Sequence, residues 1–337
     1  MPGIVKRGLH KARHLPRAAI ARQCKITALT AISENFPLSE NQAPAFDVQA
    51  RIARLFVYPI KSCAGVELRE SVLTETGLDL DRAWMLVDAG GEFVSQRELP
   101  RMALIKPQLK THEVVLRAPG MLALHLQIEQ VEKATQAKVW DDVVSAFDMG
   151  DLAAQWFSDF LAVPSTASEG QQKFRLVRFD PDCKRLSSMK WTAGIAAPNQ
   201  FSDGYPILVA NTASLDGLNR RLQAQGHAPV GMERFRPNIV LSGIEEHDED
   251  RLDVLHIATD GATTVLRPVK PCARCTIPNV DPLSGGSSPE VGDTLQGYRQ
   301  DARLNGAVTF GMNAIVIEGA DQILKVGQAV KGNYQFA

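Results

Sequence analysis

From Arg51 to Ile128 the apolar residues of this chain come in short runs cut by prolines, glycines and charged residues, and that spacing constrains the fold more than any other feature. R-I-A-R-L-F-V-Y-P-I-K-S begins at Arg51 as a strand-like run and is stopped by Pro59, which cannot donate to a ladder. R-A-W-M-L-V-D (Arg82 to Asp88) leads into the turn A-G-G-E at 89 to 92 and then F-V-S-Q-R, a pattern that predicts a hairpin. Ala103 to Ile105, Val114 to Leu116 and Leu122 to Ile128 keep the same spacing. Such strands favour a β-rich barrel or sandwich over βαβ units.

Two helices are expected further on. One starts with Asp151 as N-cap and sets Leu152, Trp156, Phe157, Phe160 and Leu161 on one core-facing stripe. The other is N-T-A-S-L-D-G-L-N-R-R-L-Q-A-Q-G, capped by Thr212 or Ser214, with Leu215, Leu218 and Leu222 on one face and Gly226 placed to end it. Strand-like runs flank it, Tyr205 to Ala210 before and Arg236 to Leu241 after. The acidic run E-E-H-D-E-D (Glu245 to Asp250) reads most simply as a solvated loop, with a docking surface for a basic partner as the alternative. At 337 residues the chain is long for one core, so two packed units are expected, with a boundary in Ala167 to Gln172.

Composition narrows the function by exclusion. With 45% hydrophobic and 22% charged residues the chain reads as soluble and globular. No apolar run approaches the roughly 18 residues of a membrane span, and a net charge of -1 excludes a surface that coats nucleic-acid polymers. Five cysteines, Cys24, Cys63, Cys183, Cys272 and Cys275, are an odd and sparse set, which predicts a reducing, cytoplasmic setting. Residues 1–33 carry Lys6, Arg7, Lys11, Arg13, Arg17, Arg22 and Lys25 with no acid before Glu34. That start fits a disordered basic tail, an over-extended gene start or an organelle transit peptide. Ser39 to Asp47 then reads as a linker.

The strongest local anomaly is V-K-P-C-A-R-C-T-I-P-N-V-D-P (Val269 to Pro282). The chain has no G-x-x-x-x-G-K-[ST], G-x-G-x-x-G, G-x-S-x-G or H-E-x-x-H, so kinase, simple dehydrogenase, hydrolase-elbow and zincin readings lose their support. Pro271 and Pro278 stiffen the loop and present its thiols outside any helix or long strand. A closed zinc site would need a second ligand pair, and a thioredoxin-like dithiol would need a following helix that Pro278 forbids. A soft-metal thiolate remains. One thiolate cannot hold a metal firmly, so the metal would arrive inside an organic cofactor. An anionic cofactor would need cations and backbone N–H groups, and Lys61, Ser62, Arg82, Arg97 and Arg236 are candidates. Cys272 is expected to pack beneath the loop, and Cys63 to be a small buried apolar residue.

Six blocks now stand in order: Y-P-I-K-S-C-A-G-V (Tyr58 to Val66), L-D-R-A-W-M-L-V-D (Leu80 to Asp88), S-Q-R-E-L-P-R (Ser95 to Arg101), F-S-D-G-Y-P (Phe201 to Pro206), R-F-R-P-N-I-V (Arg234 to Val240) and C-A-R-C-T-I-P-N-V-D-P (Cys272 to Pro282). Over about residues 50 to 335 the chain resembles MOSC proteins, and within them the mitochondrial amidoxime reducing components and bacterial YcbX-type enzymes. The resemblance implies a mixed, β-rich fold: a basic tail and linker over 1–49, an N-terminal MOSC β-barrel-like domain over 50–172, and a MOSC β-barrel domain over 173–337 with a few peripheral helices. It also implies a molybdenum cofactor (Mo-molybdopterin) enzyme that reduces and detoxifies N-hydroxylated small molecules such as hydroxylamines, amidoximes and N-hydroxylated nucleobases. Cys275 would be the molybdenum ligand and catalytic residue. Lys61, Ser62, Arg82, Asp203, Gly204, Tyr205, Arg236, Ala273 and Arg274 would bind the cofactor.

Two departures matter. Gly204 and Tyr205 stand where small hydroxyl residues are usual in the mitochondrial proteins, so their contribution would come from backbone groups. No cysteine follows Cys275, whereas some YcbX-type relatives add a ferredoxin-like domain. Electrons would then come from a separate cytochrome b5-type, ferredoxin-type or flavin reductase partner. A MOSC module that carries the cofactor, or handles sulfur for its maturation without reducing anything, is the alternative.

Overall fold

The apolar runs on either side of the chain's middle become the staves of one closed barrel. The computed structural model describes residues 46–162 and 173–336. Its barrel strands are β1 Val48–Val57, β2 Ile207–Asn211, β3 Ile239–Ser242, β4 Leu252–Ala258, β5 Thr263–Ala273, β6 Ala307–Glu318 and β7 Ala329–Tyr334. They run in the order β2-β3-β1-β7-β4-β5-β6, and β6 returns to pair with β2. Three helices accompany them, α1 Asp151–Leu161, α2 Thr212–Ala224 and α3 Glu290–Gln296. Only β2 and β3 are parallel, with Val209 opposite Ile239, and α2 makes the crossover that a parallel pair requires.

β1 shows how sequence becomes position. Val48, Ala50 and Ile52 are buried while Gln49 and Arg51 face solvent, the period of two expected of a half-buried strand. A register shift between Ile52 and Arg54 then interrupts the ladder to β3. Beyond it Leu55 and Val57 fill the barrel with Ile239, Leu255 and Leu266. Phe56 and Tyr58 point the other way, into a layer with Leu218, Leu222, Phe235 and Phe310. The strand is therefore buried on both faces where it approaches Pro59.

β5 bends for a different reason. Its ladder to β6 shifts register between Pro268 and Lys270 and again between Pro271 and Ala273, as expected where proline cannot donate. This corrects the expectation that both thiols stand on a loop: Cys272 is still within β5, and only Arg274 and Cys275 lie beyond its end.

Outside the barrel, Trp84–Val87, Arg175–Phe179, Asp142–Asp148 and Lys133–Val139 form an antiparallel sheet in that order. Lys106–Leu109, Glu113–Arg117 and Leu124–Gln127 form another. Against them α1 buries Trp156, Phe157, Phe160 and Leu161 beside Trp84, Leu86, Val114 and Leu126. The expected hairpin over 82–97 shrinks to a single bridge, Val87 to Phe93, as the returning segment bonds Lys138 instead, with Phe93 N donating to Lys138 O at 3.1 Å. Ala103 to Ile105 is no strand: Pro100 starts a 3-10 turn over Pro100–Leu104.

Helix ends also differ from expectation. Gly150, not Asp151, caps α1, and Asp151 instead meets Arg175 at 3.0 Å. Leu152 is 76% exposed, since at about 100° per residue it lies roughly 110° from the centre of the buried stripe. Asn211 caps α2 through a bond from Ala213 N, displacing Thr212 and Ser214 from that role, and Gly226 follows the helix with φ +83°. The acidic run is no solvated loop. Glu249 is fully buried and accepts from Ser214 Oγ at 2.8 Å, Glu246 meets Arg220 and Arg221, and Asp250 meets Arg299.

Residues 1–45, with Cys24, and the boundary stretch Ala167 to Gln172 lie outside the described residues. Among the described residues, no helix is long and apolar enough to cross a membrane.

Candidate functional site

Five separate segments converge at the end of the barrel where β5 stops. Lys61 and Ser62 follow β1, Arg82 precedes Trp84–Val87, 201–205 leads into β2, Arg236 precedes β3, and Ala273 to Cys275 leave β5. All ten residues singled out from the sequence line one cavity there: Lys61, Ser62, Arg82, Asp203, Gly204, Tyr205, Arg236, Ala273, Arg274 and Cys275. Arg97 lines it too, and so does Cys272, which was expected to pack beneath the loop. Cys63 is fully buried, and burial pushes its thiol up to about 12, the behaviour of an inert packing residue.

The backbone at three of these positions is strained. Ser62, Arg82 and Arg236 have φ of +67°, +50° and +58°, a region that costs a non-glycine residue about 1–3 kcal/mol and persists only where surroundings enforce it. Arg236 adopts it although Pro237 after it favours an extended backbone. The enforcing bonds are visible: Arg82 N donates to Tyr58 O at 2.9 Å, Gln96 Nε2 to Ser62 O at 2.6 Å, and Arg236 N to Glu233 O at 3.2 Å.

Tyr58 is the hub of the cation array. Its fully buried ring carries the Arg82 guanidinium at 4.4 Å and that of Arg236 at 4.3 Å. Two like charges on one ring need anchors. Arg82 Nη1 donates to Asp81 Oδ2 at 2.5 Å and its Nη2 to Arg236 O at 3.1 Å, while Arg236 Nη1 donates to Cys63 O at 2.6 Å. Burial, then the charge of Arg82, pushes the Arg236 guanidinium down to about 10, still cationic at neutral pH. Its Nη2 is buried with no protein partner.

Arg274 is similar. Its Nη1 reaches Cys272 Sγ at 3.1 Å and its Nη2 donates to Phe235 O at 3.0 Å, yet its Nε is buried without a partner. Lys61, its side chain 7% exposed, donates to Asp203 Oδ1 at 2.5 Å and to Phe201 O at 2.9 Å. Burial draws Lys61 below its ordinary value against the pull of Asp203. Desolvation opposes the ionised Asp203, but the charge and hydrogen bond of Lys61 hold its carboxyl well below the usual carboxylate range. Trp140 Nε1 adds a bond to Asp203 at 3.2 Å. Tyr205 spends its hydroxyl on Ser188 O at 3.5 Å, and no atom lies within 4 Å of where a Cβ on Gly204 would sit.

Sequence reasoning missed several members. Phe93, Phe235, Asn238 and Asn313 line the cavity. Asn238 accepts from Arg82 Nη1 at 3.2 Å and from Leu208 N at 3.0 Å, tying Arg82 to β2. It sits inside the R-F-R-P-N block, which was the available signal.

The donor set asks for an anion. Lys61, Arg82, Arg97, Arg236 and Arg274 surround one acid, Asp203, and a buried donor left without an acceptor costs about 1–3 kcal/mol. Among the described residues no group of three or more His, Cys, Asp or Glu side chains converges to hold a metal ion. A metal bound at Cys275 would therefore bring most of its own ligands. A phosphate-bearing organic cofactor fits both observations.

The fold and this site define the class, and the chain belongs to the MOSC family. The MOSC N-terminal beta barrel domain matches residues 49–164 and the MOSC domain matches residues 197–331. Its relatives include mitochondrial amidoxime reducing component 2 of Rattus norvegicus, 34% identical over 259 residues, covering 74% of this chain and 72% of the relative. Mitochondrial amidoxime-reducing component 1 of Homo sapiens is 32% identical over 293 residues, 83% of this chain and 82% of the relative. The molybdenum cofactor sulfurase of Homo sapiens is 28% identical over 279 residues, covering 77% of this chain but 29% of that protein.

Proposed function

We propose that this chain is a molybdenum cofactor-dependent reductase of N-hydroxylated compounds such as hydroxylamines, amidoximes and N-hydroxylated nucleobases, with Cys275 as the protein ligand to molybdenum. The observation that carries the reading is an exposed Cys275 in the same cavity as two buried, partnerless guanidinium nitrogens, Arg236 Nη2 and Arg274 Nε. The amidoxime-reducing relatives supply the reaction class.

Lys61, Ser62 and Arg82 would hold the phosphate and ring of the cofactor, with further contacts from Asp203, Gly204, Tyr205, Arg236, Ala273 and Arg274. When bound, the cofactor supplies the two-electron chemistry that cleaves an N–O bond. The substrate N–OH takes up two electrons and two protons and yields N–H and water. This chain's residues bind and orient: fixed cations hold the anionic cofactor without reorganising, and the open side at Cys275 admits substrate from solvent. The electrons come from a separate cytochrome b5-type, ferredoxin-type or flavin reductase partner. In this reading the protein is cytoplasmic and detoxifying, and residues 50–172 and 173–337 are its two domains.

The match to a molybdenum cofactor sulfurase favours a second reading, a cofactor carrier or sulfur-handling protein without reductase activity. Metal analysis beside an amidoxime assay separates them. Protein made with cofactor biosynthesis intact is expected to hold molybdenum near stoichiometrically, and Cys275→Ala to lose it by roughly tenfold or more. Full molybdenum and full activity in Cys275→Ala would refute the ligand assignment. Loaded wild type that turns over neither benzamidoxime nor 6-hydroxylaminopurine with an artificial donor would establish the carrier instead.

A further inference from the structure

A second cavity of about 440 Å³ adjoins the cation-lined one, and its walls are different in kind. Ala64, Val66, Pro107, Val280, Pro282 and Leu283 supply its apolar wall, while Glu67, Gln96, Lys106, Glu233 and Arg234 also line it. Arg236 and Ile277 line both cavities, so the two share a wall at Arg236 and at the residue two positions past Cys275. Leu283 is 81% exposed, yet its backbone is held, since Leu283 N donates to Asp281 Oδ1 at 2.8 Å. A large aliphatic side chain exposed to water in a cavity wall gains burial when a ligand covers it.

The two linings divide any ligand between them. Hydrocarbon placed in the first cavity would strip water from Lys61, Arg236 and Arg274 and return no acceptor. The second has the size of a small-molecule site and sets a mainly apolar wall beside a few polar side chains, with Arg236 at the junction among them. We propose that the second cavity is the subsite for the carbon portion of the substrate, taking an aryl or branched alkyl group while the N–O end lies across Arg236 and Ile277 toward Cys275. The proposal rests on the reductase reading above. It sorts substrates by shape: hydroxylamine has nothing to place in this subsite, whereas an aryl amidoxime fills it.

The test uses the molybdenum-loaded full chain, with Leu283→Asp putting a carboxylate in the apolar wall and Leu283→Phe keeping it apolar. Benzamidoxime binding is measured by calorimetry with no electron donor present, so that no turnover intervenes. Leu283→Asp is expected to raise the benzamidoxime Kd at least fivefold, and Leu283→Phe to leave it within twofold. With an artificial donor, the ratio of kcat/KM for benzamidoxime over hydroxylamine is expected to fall by a similar factor in Leu283→Asp. An unchanged Kd and ratio in that variant overturns the proposal. An equal loss for both substrates overturns it as well, because Leu283 would then act on a step they share. Failure of the loaded wild type to reduce either compound sinks the reductase reading instead, and the calorimetry still reports on the cavity.

Discussion

Gly65 shows how little room the cation array leaves. A Cβ there would lie 2.5 Å from Tyr58 Cε1, and Tyr58 is fully buried. The ring it would displace is the one that carries Arg82 and Arg236. Gly65→Ala therefore forces overpacking, which costs about 1–3 kcal/mol, and the movement falls on two cations proposed to bind the cofactor. The expected outcome is a lower Tm together with reduced molybdenum content, read by thermal unfolding and metal analysis on the same preparation. A variant with wild-type Tm and molybdenum would show that Tyr58 has more freedom than its packing implies. Gly65 lies in the Y-P-I-K-S-C-A-G-V block, so its presence was legible, but its reason was not: the close approach is a tertiary fact.

The segment carrying Asp203 depends on an element far from it in sequence. Arg185, its side chain 5% exposed, donates to Asn199 Oδ1 at 2.5 Å, Gln200 O at 2.8 Å and Ser202 O at 2.7 Å, and reaches Asp142 at 2.7 Å. One guanidinium thus pins the run into β2 against the turn after Lys133–Val139. Arg185→Ala would leave the Ser202 and Gln200 carbonyls without that donor and cost roughly 2–4 kcal/mol. Arg185→Lys is expected to rescue only in part, because an ammonium at the place of Nη1 can meet Asn199, Gln200 and Ser202 but not also Asp142, which bonds Nε. Chemical unfolding of both variants checks the size, with the lysine variant expected between alanine and wild type, and an alanine variant as stable as wild type would contradict the argument. Arg185 carries no motif, and its acceptors are backbone carbonyls, so nothing in the sequence marked it. The same holds for the acidic run: Ser214 lies 35 residues from Glu249 and Tyr334 lies 86 from Asp248. Local signals fared better. The strand-like runs near 51, 205 and 236, the stripe of α1 and the glycine after α2 rest on period and turn chemistry, which neighbours in sequence decide. Caps, bulges and left-handed residues rest on contacts that they do not.

At the scale of the whole molecule, buried titratable groups of the acidic run shape how stability follows pH. Glu249 is fully buried, with Ser214 and Asp250 beside it and Arg299 facing it, and burial with the charge of Asp250 pushes its carboxyl up to about 7. His247 sits between Tyr298 and Phe310 with Glu246 at 3.5 Å. Burial, with Arg299 and Arg221, pushes that imidazole down to about 3. The signs oppose. Glu249 binds its proton more tightly folded than unfolded, so its contribution is complete below about pH 4.5 and is lost as pH rises through about 7. His247 is neutral in the fold, so its contribution is complete above about pH 6.5 and is lost as pH falls toward about 3. At about 1.4 kcal/mol per pH unit for each group the two slopes cancel between about pH 4.5 and 6.5. The sum of these two contributions should therefore rise from pH 3 to about 4.5, stay level to about 6.5, and then fall to about pH 7. Glu249→Gln keeps an acceptor for Ser214 and removes the Glu249 share of the falling limb, leaving that of Asp250, whose carboxyl is also raised by burial. Its stability relative to wild type should increase by up to about 3 kcal/mol between pH 4.5 and 8, measured by urea unfolding at the two ends. A difference between variant and wild type that is the same at both pH values would mean Glu249 is already ionised in the fold, and that Arg299 offsets its burial.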